Sequence, residues 1–217
     1  MSNPRVVIVP GAAVRRYVEP VAETLTDRGV QARLLDAPGQ PGTPADLSRY
    51  GARLGHCLSA AEPVDLLVGL SVGTQAAAVA AAAAGPGPVG HVLLVGPTVD
   101  PDRRSLVRFL GGWARAGMRE DSSLLPRQAP DWREAGVRQL AGVVRSALSV
   151  RLEKVLADVS CRITVVHAER DVVTSHGYAA GLATVFGRQL VVIPGASHSW
   201  PYADGPRFAD LVAAVLE

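Results

Sequence analysis

Short runs of apolar and β-branched residues recur along the chain, and each is followed by a stretch whose apolar residues repeat at helical spacing. Continuous apolar runs of this length, rather than alternating ones, are typical of strands covered on both faces. The pattern predicts strands at residues 6–9, 31–35, 64–68, 91–95, 162–167 and 189–193. It predicts helices at residues 14–28, 44–59, 72–84, 175–186 and 205–216. Regular alternation of strand and helix indicates an α/β fold with a mostly parallel sheet.

One interval between predicted strands is much longer than a crossover needs. Residues 97–160 separate the fourth strand from the fifth, whereas about a dozen residues suffice for a crossover. Two segments of this interval have helical patterns, RRSLVRFLGGWARAGM and DWREAGVRQLAGVVRSAL. We therefore expect a helical cap, inserted at about residues 97–160, over one end of the sheet. The length of 217 residues is most simply a single domain, residues 1–217.

Charge and cysteine content exclude several classes of function. The formal net charge is only +2, Lys154 is the single lysine, and the arginines are scattered, so we expect no nucleic-acid partner. Cys57 and Cys161 have no spacing partner for a metal site or a redox pair. We interpret both as thiols of the core, and the sequence implies no metal and no organic cofactor.

The apolar run near the N-terminus invites comparison with an export signal. It is broken by Pro10-Gly11 and followed by Arg15-Arg16, whereas a signal needs an uninterrupted apolar stretch before its cleavage site. No run reaches the roughly 18 apolar residues of a membrane span. The sequence predicts a soluble, cytoplasmic protein with no membrane partner.

The stretch from Gly69 to Gly73, GLSVG, matches the pattern G-x-S-x-G where the third predicted strand gives way to a helix. Ligands of an open parallel sheet bind beyond the carboxyl ends of its strands. A sharp turn there lifts the serine hydroxyl above the sheet, and the flanking glycines let strand and helix approach closely. The alternative is an ordinary small residue at a tight turn, because the pattern alone is a weak signal. We predict that Ser71 is a nucleophile.

A serine nucleophile needs a base that takes its proton. Of the five histidines, His198 follows a predicted strand in a loop at the same end of the sheet. The competitor is His176, although Thr174 or Ser175 before it is more typical of a helix cap. The other three are expected to lie within helices or strands or at their ends, at positions 56, 91 and 167.

A third residue must orient the imidazole and stabilise its positive form. Glu169 and Asp171 both follow the fifth predicted strand, and we favour Asp171 because it lies deeper in the loop. The chain order Ser71, Asp171, His198 is the order expected of a triad built on a parallel sheet.

The oxyanion of an acyl-transfer intermediate needs hydrogen-bond donors that are already in place. The backbone N–H of Val72, directly after the nucleophile, is one candidate. The loop after the first strand offers a second, with the N–H of Ala12 favoured and that of Ala13 as the fallback. A simple glycine turn at Gly11 that opens a helix is the alternative interpretation of this loop.

Together these segments resemble the α/β-hydrolase superfamily almost from end to end. VVIVPGAAVRRYVEPVAETLTDRG is similar to its first parallel strand and oxyanion loop, and LLDAPGQPGT to its D-x-P-G-x-G-x-[ST] turn. VGLSVG resembles the nucleophile elbow, VVHAERD the acid strand and VVIPGASH the histidine loop. Position by position, the roles of nucleophile, acid and base fall on Ser71, Asp171 and His198. The resemblance implies an α/β-hydrolase fold with helices on both faces of the sheet.

The chain departs from the family pattern in three places. Pro10 stands where the family usually has histidine before the oxyanion-loop glycine, and Ala168 stands where the acid motif usually has glycine. The sequence also starts at what would be the family's third strand, so we expect about six strands instead of the larger sheet with an antiparallel hairpin.

The cap resembles that of small bacterial family members that act as esterases, thioesterases or tailoring hydrolases in natural-product pathways. This resemblance implies a serine hydrolase that cleaves a carboxylic ester or thioester of a hydrophobic small molecule through an acyl-serine intermediate. The same triad could serve a cyclase, a lactonase or a C–C bond-cleaving enzyme. The fold could also serve a non-catalytic ligand-binding protein.

Apolar and aromatic side chains of the cap could line the substrate pocket. The candidate pocket residues, with one from the oxyanion loop, are Ala13, Phe109, Trp113, Met118 and Trp132. Packing between cap and sheet is the alternative role for such residues. Cap arginines at positions 108, 115 and 119 could meet an anionic group of the substrate or simply be solvated.

Overall fold

The computed structural model describes residues 3–185 and 189–217. Six strands form one sheet in the order β2-β1-β3-β4-β5-β6, and all their pairings are parallel. The strands are β1 (Arg5–Val9), β2 (Gln31–Leu34), β3 (Val64–Leu70), β4 (Val89–Val95), β5 (Arg162–Ala168) and β6 (Gln189–Ile193). The predicted α/β architecture and the number of strands are confirmed.

Helices link the strands and cover the sheet. They are α1 (Glu19–Asp27), α2 (Leu47–Ser59), α3 (Gly73–Ala84), α4 (Leu106–Gly117), α5 (Leu124–Ser149), α6 (Leu152–Val155), α7 (His176–Val185), α8 (Trp200–Ala203) and α9 (Gly205–Leu216). Within the described ranges, no helix combines the length and apolar character that crossing a bilayer requires.

Two apolar cores lie on opposite faces of the sheet, which explains why the strands are continuous apolar runs. Successive residues of a strand point to opposite faces. Val7 and Val9 of β1 pack in one core with α2, α3 and α7, whereas Val6 and Ile8 pack in the other with α1 and α9. Most residues of β1, β3, β4 and β5 are therefore buried on one face or the other. The edge strands β2 and β6 are only partly buried.

The long interval between β4 and β5 forms the predicted helical cap. It contains a 3-10 turn at Pro101–Arg103, then α4, α5 and α6. Helix α5 begins well before the predicted segment and is interrupted at Gly136, whose φ of 75° and ψ of 162° are not helical. Glycine tolerates this conformation without a side-chain clash, so it provides the bend.

Several element boundaries differ from the sequence prediction. Helix α1 begins five residues late, because residues 14–15 have no regular structure, residues 16–18 form a turn and the proline at position 20 sets the first helical turn. Helix α2 begins at Leu47, since the Asp46 side chain accepts the N–H of Arg49 at 2.8 Å and caps it. The last residue of the predicted helix 175–186 lies outside the described residues. Cys57 is exposed on α2, so its assignment to the core was wrong.

Candidate active site

Ser71 occupies the sharp turn between β3 and α3. Its φ of 54° lies in the left-handed region, which costs a residue with a side chain about 1 kcal/mol or more. Each of the two glycines of the motif is required because a side chain there would clash with a different neighbour. A Cβ on Gly69 would lie 2.6 Å from Cα of Thr74, and one on Gly73 would lie 2.4 Å from the carbonyl oxygen of Val9. Only glycine at both positions lets the turn approach α3 and β1 this closely.

The structure brings the side chains of Ser71, His198 and Asp171 into one hydrogen-bonded relay. The Nε2 atom of His198 lies 2.9 Å from the Ser71 hydroxyl oxygen. The Nδ1 atom of the same ring lies 2.7 Å from Oδ2 of Asp171. With Nδ1 protonated and donating to the carboxylate, Nε2 is the acceptor for the serine proton.

The carboxylate of Asp171 is held in its charged form. Its side chain is 0% exposed, and Oδ1 accepts the N–H groups of Val173 at 2.7 Å and Thr174 at 2.9 Å. Burial on its own raises the pKa of Asp171, but the charge of His198 and these hydrogen bonds outweigh it and lower the pKa below its usual value. Glu169 does not share this position, since its carboxylate is at the surface and accepts the N–H of Gly195.

His198 is buried beside two carboxylates. Burial lowers the pKa of the ring, whereas Asp171 and then Glu120 raise it, and the net pKa lies above its usual value. Glu120, which follows α4 in the cap, also binds the loop on both sides of the histidine. Its carboxylate accepts the hydroxyl of Ser197 at 2.8 Å and the N–H of Ser199 at 3.1 Å. No pattern in the sequence indicates this cap contact.

Gly96 lies directly after β4, and because it has no side chain, the His198 and Asp171 side chains can occupy the space beside it. Its φ is 59°, and a Cβ there would lie 2.9 Å from Cε1 of His198 and 3.5 Å from Oδ2 of Asp171. Any side chain would therefore displace the imidazole. The Gly-Pro pair after a strand was the available indication of a tight turn at this position.

The backbone amides of Val72 and Ala12 are free to act as an oxyanion hole. Both residues line the cavity that contains Ser71, and neither N–H has a hydrogen-bond acceptor among the described residues. Ala13, the fallback candidate, differs. Its N–H donates to the carbonyl of Pro38 at 3.0 Å, and the residue is fully buried.

The cavity beside Ser71 is small, about 40 Å³, and it adjoins a groove of about 780 Å³ under the cap. Trp113 and Trp132 line both spaces, with their ring centroids 5.2 Å apart. Phe109 lines the inner cavity. Met118 lines only the outer groove and is 79% exposed, and Ala13 lines neither. The predicted pocket residues other than Ala13 therefore divide between a small cavity at Ser71 and a larger, mainly apolar groove.

Sequence reasoning missed other side chains that line the inner cavity. They come from the first loop, α5, and the loops that carry Asp171 and His198: Val14, Tyr17, Gln128, Val143, Val144, Val173 and Ser199. The cap arginines at positions 108, 115 and 119 do not line the inner cavity. The Arg108 guanidinium donates instead to the carbonyl of Asp102.

The other histidines lie away from Ser71. The rings of His167 and His176 pack edge to face, 5.2 Å apart, and Ser175 caps α7 by accepting the N–H of Tyr178. His91 is buried in the sheet and bonds Thr164 at 3.0 Å, and His56 is exposed on α2. His198 alone among them contacts the serine hydroxyl in the described part of the chain.

Comparison with known proteins places the fold in a family. A sequence model of the Alpha/beta hydrolase family matches residues 6–211. The chain belongs to this family. No curated protein matches the sequence significantly. Membership of the alpha/beta hydrolase family indicates an enzyme that hydrolyses a small molecule.

Solved structures of similar fold cover nearly the whole chain at low identity. An esterase from Exiguobacterium antarcticum superposes with a TM-score of 0.78 at 16% identity, covering 99% of this chain and 92% of the esterase. The enol-lactonase from Burkholderia xenovorans superposes at 0.72 with 15% identity, covering 100% and 92%. A bromoperoxidase from Bacillus anthracis superposes at 0.81 with 13% identity, covering 99% and 92%. At these identities the likeness extends to the fold alone.

Proposed function

We propose that the protein hydrolyses a carboxylic ester or thioester of a hydrophobic small molecule through an acyl-Ser71 intermediate. The observation that carries the proposal is the relay of 2.9 Å and 2.7 Å from Ser71 through His198 to Asp171. It ends in a fully buried carboxylate and opens onto a cavity lined by Val72 and Ala12, whose amides have no acceptor in the described part of the chain. A protein that only bound ligands would not need the three groups in this order.

The reaction follows from the donors and acceptors present. His198 takes the hydroxyl proton at Nε2 as the Ser71 oxygen attacks the carbonyl carbon, and Asp171 stabilises the imidazolium. The N–H groups of Val72 and Ala12 bind the oxyanion. When the tetrahedral intermediate collapses, His198 returns the proton to the leaving alcohol or thiol. His198 then deprotonates a water molecule that attacks the acyl-Ser71 carbonyl. As this second tetrahedral intermediate collapses, the bond to the Ser71 oxygen breaks, His198 returns the proton to that oxygen, and the acid is released.

The apolar groove supports a hydrophobic substrate. It is lined mainly by aliphatic and aromatic side chains of the cap, among them Leu110, Trp113, Met118, Leu124, Leu125 and Trp132. Apolar walls with few polar groups bind acyl or alkyl chains by removing them from water. We expect the chain to lie in this groove and the scissile carbonyl to enter the small cavity at Ser71.

Labelling with a fluorophosphonate tests the nucleophile. We expect one adduct, located on Ser71 by peptide mass mapping, in the wild type and none in Ser71→Ala. Ser199→Ala is the matched control, because Ser199 lines the same cavity, and it should still be labelled on Ser71. Folded wild-type protein that stays unlabelled would overturn the proposal.

A panel of esters, thioesters and lactones with increasing chain length then tests the substrate class. We expect kcat/KM to rise with acyl chain length until the groove is filled, and an initial burst of alcohol or thiol to reveal the acyl-enzyme. Turnover confined to lactones, or release of a cyclic product, would favour the lactonase or cyclase reaction instead.

A further inference from the structure

We propose that the cap sets the oxyanion hole: Asp131 and Trp132 of α5 are positioning residues that hold the loop after β1 so that the Ala12 N–H serves the reaction. The inference rests on the proposed function, since it assigns these two residues a part in the chemistry at Ser71. Neither residue lies within the relay, and Asp131 does not line the cavity.

Asp131 binds the backbone of this loop directly from the cap. It is only 1% exposed, and its Oδ2 accepts the N–H groups of Arg15 at 2.6 Å and Arg16 at 2.9 Å. Its Oδ1 accepts the Arg16 guanidinium at 2.7 Å. A buried carboxylate is costly without such partners, and with them it fixes two consecutive peptide groups through strong, charge-assisted bonds.

Trp132 binds a second peptide group of the loop, the one between Ala12 and Ala13. Its indole N–H donates to the carbonyl of Ala12 at 3.1 Å, while the N–H of Ala13 donates to Pro38 from the other side. The peptide between Ala12 and Ala13 is therefore bound at both ends. Ala13 has a φ of 51°, a left-handed conformation that a residue with a Cβ keeps only when its surroundings enforce it.

These contacts leave a single amide unpaired in the loop. Of the N–H groups at positions 12 to 16, those of Ala13, Val14, Arg15 and Arg16 all have acceptors. Among the described residues, the Ala12 N–H has none, and Ala12 lines the cavity that contains Ser71. The cap accepts two of these donors through Asp131, and the carbonyls of Pro38 and Gly11 accept the other two. The Ala12 N–H is left for a substrate oxygen.

Small displacements at such a site have large kinetic effects. Loss of one oxyanion donor costs about 100-fold to 1,000-fold in rate, and a shift of about 1 Å can cost about 100-fold. Residues 14–18 are not helical, so the cap carboxylate supplies the acceptors for the N–H groups of Arg15 and Arg16. Removing a cap contact should therefore slow the reaction at Ser71 more than it weakens substrate binding in the groove.

Three variants separate this role from general stability. Trp132→Phe keeps the aromatic ring and removes only the indole N–H, and Asp131→Asn keeps the shape and removes the charge. Glu134→Gln is the matched control: Glu134 binds the same Arg16 guanidinium at 2.7 Å and is half exposed, but it contacts no loop amide. The measurements are the rate constant and the end point of fluorophosphonate labelling at Ser71, together with kcat and KM for the best ester.

We expect complete end-point labelling of all proteins, with the rate constant and kcat lowered about tenfold to 100-fold in Trp132→Phe and Asp131→Asn. KM should change less than about threefold in Asp131→Asn, and Glu134→Gln should match the wild type. If Asp131→Asn does not fold, Trp132→Phe decides the question alone.

Wild-type rates in the variants would overturn the inference, and so would a lower end point in which the labelled fraction reacts at the wild-type rate. That second result would show a purely structural contact. An unlabelled wild type would instead overturn the proposed function, so the two failures are distinguishable.

Discussion

Asp171 contacts the His198 ring with one carboxylate oxygen and two backbone amides with the other. In Asp171→Asn, the side-chain amide can turn its NH₂ group toward Nδ1 and stabilise the wrong tautomer of the imidazole. We expect kcat/KM to fall about 1,000-fold or more, with the fold unchanged by circular dichroism.

The matched control for this variant is Glu169→Gln. Glu169 lies two residues away in the same loop, but among the described residues its carboxylate accepts only the Gly195 N–H. Its kcat/KM should stay within about twofold of the wild type. The opposite outcome, a silent Asp171→Asn and an inactive Glu169→Gln, would move the acid to Glu169.

In the proposed mechanism, the carboxylate of Glu120 raises the pKa of the base, His198. His198 must be neutral to accept the Ser71 proton, so kcat/KM should fall as the pH drops through the His198 pKa, which Asp171 and Glu120 raise. Glu120→Gln removes one negative charge, which lowers the His198 pKa and shifts the acidic limb of the pH profile to lower pH.

The neighbouring carboxylate provides the control for this pH effect. Asp121 lines the same groove, but its hydrogen bonds go to Ser123. The acidic limb of Asp121→Asn should coincide with that of the wild type. A Glu120→Gln profile that did not move, or that moved to higher pH, would contradict the electrostatic role of Glu120.

At the scale of elements, the turn after β4 makes room for the relay. Gly96→Ala forces alanine into a left-handed φ, which costs about 1 kcal/mol of stability. It also places a Cβ 2.9 Å from Cε1 of His198. We expect kcat/KM to fall about 100-fold, because the imidazole is displaced from Ser71. Steady-state kinetics and a thermal melt measure the two effects.

A substitution at Gly29 is the control that separates backbone strain from displacement of the His198 ring. Its φ is 82° and a Cβ there meets nothing within 4 Å, so Gly29→Ala pays a similar backbone cost far from the relay. It should lower the melting temperature and keep wild-type kcat/KM. Equal activity in the two variants would show that Gly96 has no steric part in placing His198.

Elements whose causes are local could be predicted from the sequence. The apolar runs predicted all six strands. The hypothesis for Ser71, Asp171 and His198 came from the loops that follow β3, β5 and β6. Helix α1 shows where local reasoning stops. The helical spacing continues back to Val14, yet a partner about 115 residues away in the cap binds the backbone there and holds it in turns.

The cap contacts of the site could not be predicted for the same reason. Glu120 and Asp131 are ordinary acidic residues in helical patterns, and nothing in the sequence around them indicates which loop they meet. Their roles depend on how α4 and α5 cross the sheet, a tertiary arrangement that leaves no periodic signal. Met118 shows the converse, since its apolar character suggested a buried pocket whereas it lies exposed at the rim of the groove.

At the scale of the whole molecule, we expect a histidine buried in the sheet to lower the stability of the protein in acid. His91 of β4 is 6% exposed and bonds Thr164 of β5. Burial and then the charge of Arg162 lower its pKa to about 4. Between the unfolded pKa of about 6.5 and this value, only the unfolded state takes up the proton, so stability falls as the pH falls. His198 acts in the opposite direction because its folded pKa is raised.

His91→Gln isolates this contribution, because glutamine can still bond Thr164 but does not titrate. Urea unfolding at pH 7.5 and pH 5 should show that the wild type loses about 1–2 kcal/mol more than His91→Gln over this interval. His56→Gln, which changes an exposed histidine on α2, is the control and should lose as much as the wild type. If His91→Gln loses as much stability as the wild type between these pH values, the buried neutral imidazole is not the source of the acid sensitivity.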